Sequence, residues 1–226
     1  MRFVAFRILP ALILAVGCSD SPFDPPSGGE LEGRLQVVPG VASLAQVDVI
    51  VDGQVRLNAL AYGQPSAALA LAPGQHTLGV RAAGTAGVAS GTTVTIRAND
   101  TTTVVVIGTA TAMNPVALGD TGATPVAGKG KLRVSHLARN APPIDVYRSQ
   151  PDFPAFIKTM DPFPYQSSTP FLESTPGNWI IRVTARNSQQ VIAESAPIRV
   201  DALWVRTVLL LDAPGGGVKI TPLGEQ

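Results

Sequence analysis

The sequence predicts an all-β fold, two tandem immunoglobulin-like antiparallel β-sandwich domains behind an N-terminal leader. Three observations lead there. Apolar residues recur at every second position in short runs, the spacing of strands that bury one face. Pro, Gly and Asp-Gly pairs punctuate those runs at turn-sized intervals. The pattern is also laid down twice: LRVSHLARNAPPIDVY at residues 132–147 has a fainter counterpart, LQVVPGVASLAQVDVI, at residues 35–50.

One constant spacing relates Leu35 to Leu132, Val37 to Val134, Val47 to Ile144, Asp48 to Asp145 and Val49 to Val146. A slightly larger spacing relates Tyr62 to Tyr165, Pro73-Gly74 to Pro176-Gly177, Leu78 to Ile181 and Val80 to Val183. The second repeat therefore carries a few extra residues between the two blocks. Ile96-Arg97 matches Ile198-Arg199, and the apolar run at 104–107 matches the run at 208–211. Ordered matches of this kind indicate duplication.

In chain order, residues 1–17 carry Arg2 and Arg7 before an apolar stretch too short to span a bilayer, as in a secretory signal. The stretch ends Leu14-Ala15-Val16-Gly17-Cys18, which resembles a bacterial lipobox. Small residues there admit the peptidase, and the Cys18 thiol is expected to receive the diacylglycerol. Two or three acyl chains anchor stably, because each buried methylene contributes about 0.8 kcal/mol. Cys18 is the single cysteine in the chain, so the processed chain forms no internal disulfide and offers no thiolate metal site. Residues 18–32, with the lipidated cysteine at their head, hold Pro, Gly, Ser and Asp with little to bury and read as a flexible tether. Asp20 lies one place after the position that directs inner-membrane retention in some systems, so the sorting signal leaves the leaflet open.

The first repeat is expected over 33–119. Leu35 and Val37 alternate with Arg34 and Gln36, Val47, Val49 and Val51 with Asp48 and Asp52, and Val94 and Ile96 with Thr95 and Arg97. Asp52-Gly53 predicts a tight primed hairpin turn, which needs positive φ. Turns are also expected at Pro73-Gly74, Asn99-Asp100 and residues 63–66. Residues 115–118 are the candidate last strand. Residues 120–130 read as an interdomain linker, and the second repeat follows over 131–226 with a candidate last strand at 217–221. In it Trp179, Ile181 and Val183 share one face of a strand.

At His136, Ala141-Pro142, Ile144 and Asp145-Val146-Tyr147, followed by an apolar segment with a tyrosine and then PGNWIIRV, the chain resembles the bacterial envelope domain of unknown function 4397. The first repeat departs from the pattern: Pro39 replaces the histidine, Ala45-Gln46 stands near the Ala-Pro, and Ile50 replaces the tyrosine. The resemblance covers most of 31–223 and implies extracytoplasmic β-sandwich modules, often in tandem, with no assigned activity. It marks His136, Asp145 and Tyr147 as structural motif residues.

The chemical inventory is sparse. His76 stands where the second repeat has Trp179 and reads as a strand residue. A His136–Asp145 hydrogen bond tying loop to strand is expected. No Gly-x-Ser-x-Gly elbow accompanies that pair, so no catalytic residue is assigned and the chain is not expected to be an enzyme. Residues 122–129 only superficially suggest a phosphate loop, since the spacing is one too long and Gly130 replaces the required Ser or Thr. Asp145, Asp152 and Asp161 lack the dense acidic loop of a calcium site, and no metal or cofactor is expected. The extra residues of the second repeat fall within 148–165, where Phe153, Phe156, Phe163 and Tyr165 lie among prolines. The first expectation for this loop is that the rings plug one end of the sandwich or pack on the linker. The second is that they form a contact surface for a glycan or a protein.

Basic and acidic residues number 17 and 16, and loss of Arg2 and Arg7 leaves the processed chain near neutral, which argues against nucleic-acid binding. The expected function is a non-catalytic structural or interaction module, lipid-anchored in the cell envelope at the outer membrane or periplasmic face, with an envelope protein or glycan as candidate partner. The alternative is a glycan-binding module that uses the aromatic loop.

Overall fold

A computed structural model describes residues 31–87, 90–119, 124–151 and 157–224. Among them the regular elements are all strands. The first half holds β1 (Gly33–Pro39), β2 (Gln46–Val51), β3 (Gln54–Ala61), β4 (Leu69–Leu71), β5 (Gly74–Ala82), β6 (Ser90–Ile96), β7 (Thr101–Thr109) and β8 (Ala112–Leu118). The second half holds β9 (Gly130–His136), β10 (Ile144–Ser149), β11 (Ile157–Phe163), β12 (Ser167–Ser168), β13 (Leu172–Ser174), β14 (Gly177–Ala185), β15 (Val191–Glu194), β16 (Ile198–Val200), β17 (Val205–Asp212) and β18 (Val218–Pro222).

The strands form four sheets. In the first half β4-β1-β7-β8 faces β3-β2-β5-β6. In the second half β12-β9-β17-β18, with β13 also on β9, faces β11-β10-β14-β15, with β16 on β14. The all-β expectation holds, but the sheets are mixed: β1 runs parallel to β7 and β9 parallel to β17. Alternation explains the inner faces. Leu35, Val37, Val47, Val49, Leu78 and Val80 point into the first core, and Leu132, Val134, Ile144, Val146, Ile181 and Val183 into the second. Each such side chain contributes about 1.5–3 kcal/mol relative to exposure.

The continuous apolar runs have a different cause. In β7, Val104 and Val106 face the first core, while Val105 and Ile107 face a third cluster. In β17, Val208 and Leu210 face the second core, while Leu209 and Leu211 enter the same third cluster with Val38 and Leu137. The halves thus share a core made from the outer faces of their parallel-paired strands. Strands buried on both faces have no polar side to show, hence the unbroken runs.

The duplication extends to individual hydrogen bonds. Gly63 N donates to Pro39 O at 2.7 Å, and Gln166 N to His136 O at 2.7 Å. Ser66 Oγ accepts from Val37 N at 3.0 Å, as Thr169 Oγ1 does from Val134 N at 3.1 Å. Val49 pairs with Val80 in one half and Val146 with Val183 in the other. At one place the register corrects the sequence alignment. Gly74 lies opposite Ile96 and Gly177 opposite Val200, so Ile96 corresponds to Val200 and not to Ile198. A two-residue slip keeps the same face inward, and apolar alternation alone does not detect it.

The Asp52-Gly53 turn forms as expected, with φ of 50° and 77°. The segment expected as an aromatic loop is different. Ile157–Phe163 forms β11, which pairs with β10.

Candidate functional site

The most specialised surface lies at one end of the second half, and backbone bonds assemble it. β9 ends at His136, and residues 137–143 then cross to the facing sheet, where β10 starts at Ile144. Ile144 lies opposite Phe163 at the end of β11. The Gln166 N to His136 O bond sets Tyr165 beside His136. Arg186 N donates to Pro143 O at 2.8 Å, which brings the turn after β14 to the same place. The outcome is a cleft of about 320 Å³ lined by His136, Arg139, Pro142, Pro143, Pro162, Phe163, Pro164, Tyr165 and Arg186, among others. That volume suits a small-ligand site, for which about 300–1,000 Å³ is usual.

His136 is the floor. It is 3 % exposed, and its ring centroid lies 5.6 Å from Phe163 in a tilted contact and 6.0 Å from Tyr165 edge-on. Its Nδ1 has no hydrogen-bond partner among the described residues. Burial pushes its pKa down to about 4, with the Asp212 carboxylate opposing in part, so the ring is neutral at pH 7. Phe163 is 4 % exposed and belongs to the second core, while Tyr165 is 37 % exposed on the rim. Phe163 therefore plugs the sandwich end, the first of the two expected roles, and Tyr165 meets solvent. Arg139 and Arg186 are exposed beside it.

The expected His136–Asp145 bond does not form. His136 continues the inward face of β9, whereas Asp145 lies between the inward-facing Ile144 and Val146 and points out of the opposite sheet. Asp145 Oδ2 accepts from Asn187 N at 3.0 Å, and Oδ1 lies 3.1 Å from Lys158 Nζ. Asp48 does the same work in the first half, where Gly84 N at 3.3 Å and Arg81 Nε at 3.2 Å reach its Oδ2. The motif aspartate is a clamp on the turn that follows the central strand. Tyr147 sits half-buried on β10 between Lys158 and Arg182. Cys18, Phe153, Phe156 and Asp152 lie outside the described residues. No group of three or more His, Cys, Asp or Glu side chains able to hold a metal ion occurs among the described residues.

The matching end of the first half is built differently. Pro39 stands for His136, and the Tyr62 hydroxyl, matching Tyr165, donates to the Asp212 carbonyl of β17. Lys219 Nζ lies 4.6 Å from the centre of the Tyr62 ring. The second half thus covers that position. A larger groove of about 450 Å³ over Ile50, Thr77, Gly79 and Gly91 is lined by no charged or aromatic side chain.

His76 lies apart from the cleft. Its Nδ1 is 2.6 Å from Asp52 Oδ2 and its Nε2 2.8 Å from Ala72 O. The Asp52 bond, then the Ala72 carbonyl, raise its pKa above 6.5. A raised histidine pKa stabilises the fold fully below pH 6.5, and the contribution is lost as pH rises through the folded value. NMR titration is expected to place the His76 midpoint above 6.5, and Asp52→Asn to bring it back down; a midpoint indifferent to Asp52→Asn would refute the pairing.

Arg139 and Arg186 were not among the sequence-predicted site residues. Exposed arginines carry no periodic signal. Arg186 reaches the cleft only because Ile144 pairs with Ala185, a register known once β10 and β14 are seen together.

Comparison with known proteins adds a family. The family model described as domain of unknown function (DUF4397) matches residues 33–147, through β1–β8 and into the second half as far as β10. No curated protein matches. Among solved structures, the chain is similar to a leucine-rich repeat protein from Bacteroides thetaiotaomicron at 11% identity, covering 78% of this chain and 26% of that one, with a TM-score of 0.23. It is also similar to the Bacillus anthracis TIE protein at 12% identity, covering 80% of this chain and 34% of that one, with a TM-score of 0.26. The chain therefore spans about a third or less of the length of these two structures.

Proposed function

The chain belongs to the DUF4397 family of domains of unknown function, and from that premise we propose that it is a lipid-anchored, non-catalytic interaction module of the cell envelope. In this reading Cys18 holds the chain to the membrane, residues 19–32 tether it, and the His136 cleft is the surface it presents. The cleft carries the reading. It is a shaped cavity with aromatic and proline walls and charged groups at its mouth, the pattern of a recognition site. A catalytic role finds little support in its floor. His136 contacts aromatic rings and makes no bond to Asp145, so it lacks the oriented carboxylate partner that prepares a histidine as general base.

Acylation is the test of the anchor. Intact mass spectrometry of the membrane-extracted chain is expected to show a processed N-terminus at Cys18 with a diacylglycerol adduct. Cys18→Ser is expected to move the protein from the membrane fraction to the soluble one. An unmodified thiol on the processed chain would overturn the reading.

A second reading, glycan recognition, is favoured by one observation: Tyr165, 37 % exposed, stands at the rim of the cleft in edge-on contact with the His136 ring. An aromatic ring at a cleft rim offers a stacking surface to the C–H face of a pyranose.

A further inference from the structure

We propose that the pole of the body at which β1 begins is a membrane-contact face, seated among lipid headgroups through Leu203, Leu31 and Val126. This rests on the lipid-anchor reading and adds the surface by which the folded body meets the bilayer.

The repeat singles out Leu203. Asn99 N donates to Glu32 O at 2.8 Å, and Leu203 N to Lys129 O at 2.7 Å. Arg34 N donates to Asp100 O and Lys131 N to Trp204 O, both at 2.8 Å. The same turn therefore carries Asn99-Asp100 in the first half and Leu203-Trp204 in the second. Asn99 and Leu203 both have positive φ, 57° and 68°. Asparagine tolerates that conformation, whereas leucine adopts it at a cost, because its Cβ crowds the following carbonyl. Leu203 is also 62 % exposed. A leucine that strains its backbone and covers no core points to a role outside the core.

Leu203, Leu31 at 60 % and Val126 at 52 % are the most exposed large apolar side chains among the described residues. They gather at one pole. Lys129 N donates to Val126 O at 3.0 Å, so Val126 and Leu203 flank the start of β9, while Leu31 precedes β1. The two strands start at the same pole. Arg133, near the start of β9, donates to the Gly119 carbonyl, just past the point where Leu118 of β8 lies opposite Thr103 of β7. At the far pole Tyr62, held beside the end of β1, donates to the Asp212 carbonyl at the end of β17. The His136 cleft, at the end of β9, also lies at the far pole.

The point of attachment says what covers the near pole. Leu31 comes thirteen residues after Cys18, so the acylated cysteine lies within about 45 Å of this pole by contour length alone. Attachment at such range makes contact with the bilayer effectively intramolecular, and a few side chains then suffice. Trp204 suits the same setting. It is half-buried, with the Arg206 guanidinium 4.8 Å from its ring centre, and rings and cations of this kind sit at headgroup depth. Charges of both signs surround it: Arg199 pairs with Asp201 at 2.7 Å, and Glu173 lies opposite Lys131. The contact is therefore insertion of apolar side chains, not attraction to an anionic surface. It leaves the His136 cleft facing away from the membrane.

The experiment uses the full acylated chain in phosphatidylcholine vesicles, with a nitrobenzoxadiazole fluorophore on Val126→Cys and doxyl-labelled lipid as quencher. Val191→Cys, exposed on β15 opposite Thr184 near the far end of β14, is the control position. The fluorophore at 126 is expected to be quenched and the one at 191 to be spared. Leu203→Asn is expected to melt at the same temperature or higher, since asparagine suits the positive φ. It is also expected to lower the docked-to-undocked ratio read at 126 about tenfold, the factor that about two buried methylenes carry. A chain that fails to float with the vesicles would overturn the anchor and this proposal with it. A floating chain quenched equally at 126 and 191 would overturn the contact face alone and leave the anchor standing. A floating chain that is shielded from the quencher at 126 and runs as a dimer in detergent would give the face to a second copy and overturn the lipid contact. Quenching at 126 unchanged by Leu203→Asn would refute the proposed face.

Discussion

Leu211→Asp is expected to destabilise both halves of the protein together, by about 5 kcal/mol or more. Leu211 is fully buried in the core that the two halves share, with Val38, Val105, Ile107, Leu137 and Leu209 around it. Truncating a core leucine alone costs about 2–5 kcal/mol, and an unpaired buried carboxylate adds several more. The site faces away from the second core, where Val208 and Leu210 point, so the damage falls on the junction first. Urea unfolding is the measurement, with hydrogen exchange of the paired strands β2 and β5 as a reporter in the first half. Exchange there is expected to accelerate although the substitution lies in β17. Val191→Asp is the control, since Val191 is exposed on β15 and a change there is expected to stay within about 0.5 kcal/mol. A Leu211→Asp protein whose first half exchanges as before would show the junction to be dispensable.

Acid is expected to cost the fold on the order of 3 kcal/mol through His136 alone. Burial lowers its pKa to about 4 from an ordinary 6.5. Between those values the unfolded chain binds a proton that the folded chain refuses, so stability falls as pH drops from 6.5 to 4 and this contribution levels off below. His76 works the other way. Its raised pKa makes the folded state the better proton acceptor, so its contribution fades as pH rises through the folded value. His136→Phe keeps an aromatic ring against Phe163 and removes the titrating group, so it is expected to flatten the stability profile between pH 4 and 6.5. A profile equally steep in His136→Phe would mean that other groups set the acid response.

Much of the fold was legible. The duplicated apolar blocks, the Asp52-Gly53 turn and the inward faces of the central strands follow from period-2 alternation and turn chemistry. What stayed hidden has physical causes. β3 is largely exposed, with Leu57 and Leu60 only partly covering the first core, so an edge strand shows no clean alternation. β11 lay under prolines that read as loop. The runs at 104–107 and 208–211 were visible as apolar, but their doubly buried, parallel-paired position was the part that mattered. An unbroken run is the signature of such strands and was the available clue. Positive φ also migrates between residue types: Gln166 and Asn187 adopt it where the first half has Gly63 and Gly84, which blurs the repeat in sequence and preserves it in space.

The candidate site was legible in part. His136, Phe163 and Tyr165 were singled out as residues, and the structure brings them together at one end of the second half. Their roles shifted, because strand alternation separates His136 from Asp145 and draws Phe163 into the core. The arginines depend on tertiary register, which a single sequence does not encode locally.

Native-state hydrogen exchange of the intact chain most directly tests the claim that two repeated sandwiches are bound into one cooperative body by a shared core. The amides of Val37 in β1 and Val134 in β9 are expected to open with the same free energy, and both to weaken equally in Leu211→Asp. Protection of β9 that persists while β1 opens at much lower cost, in the unsubstituted chain, would contradict it.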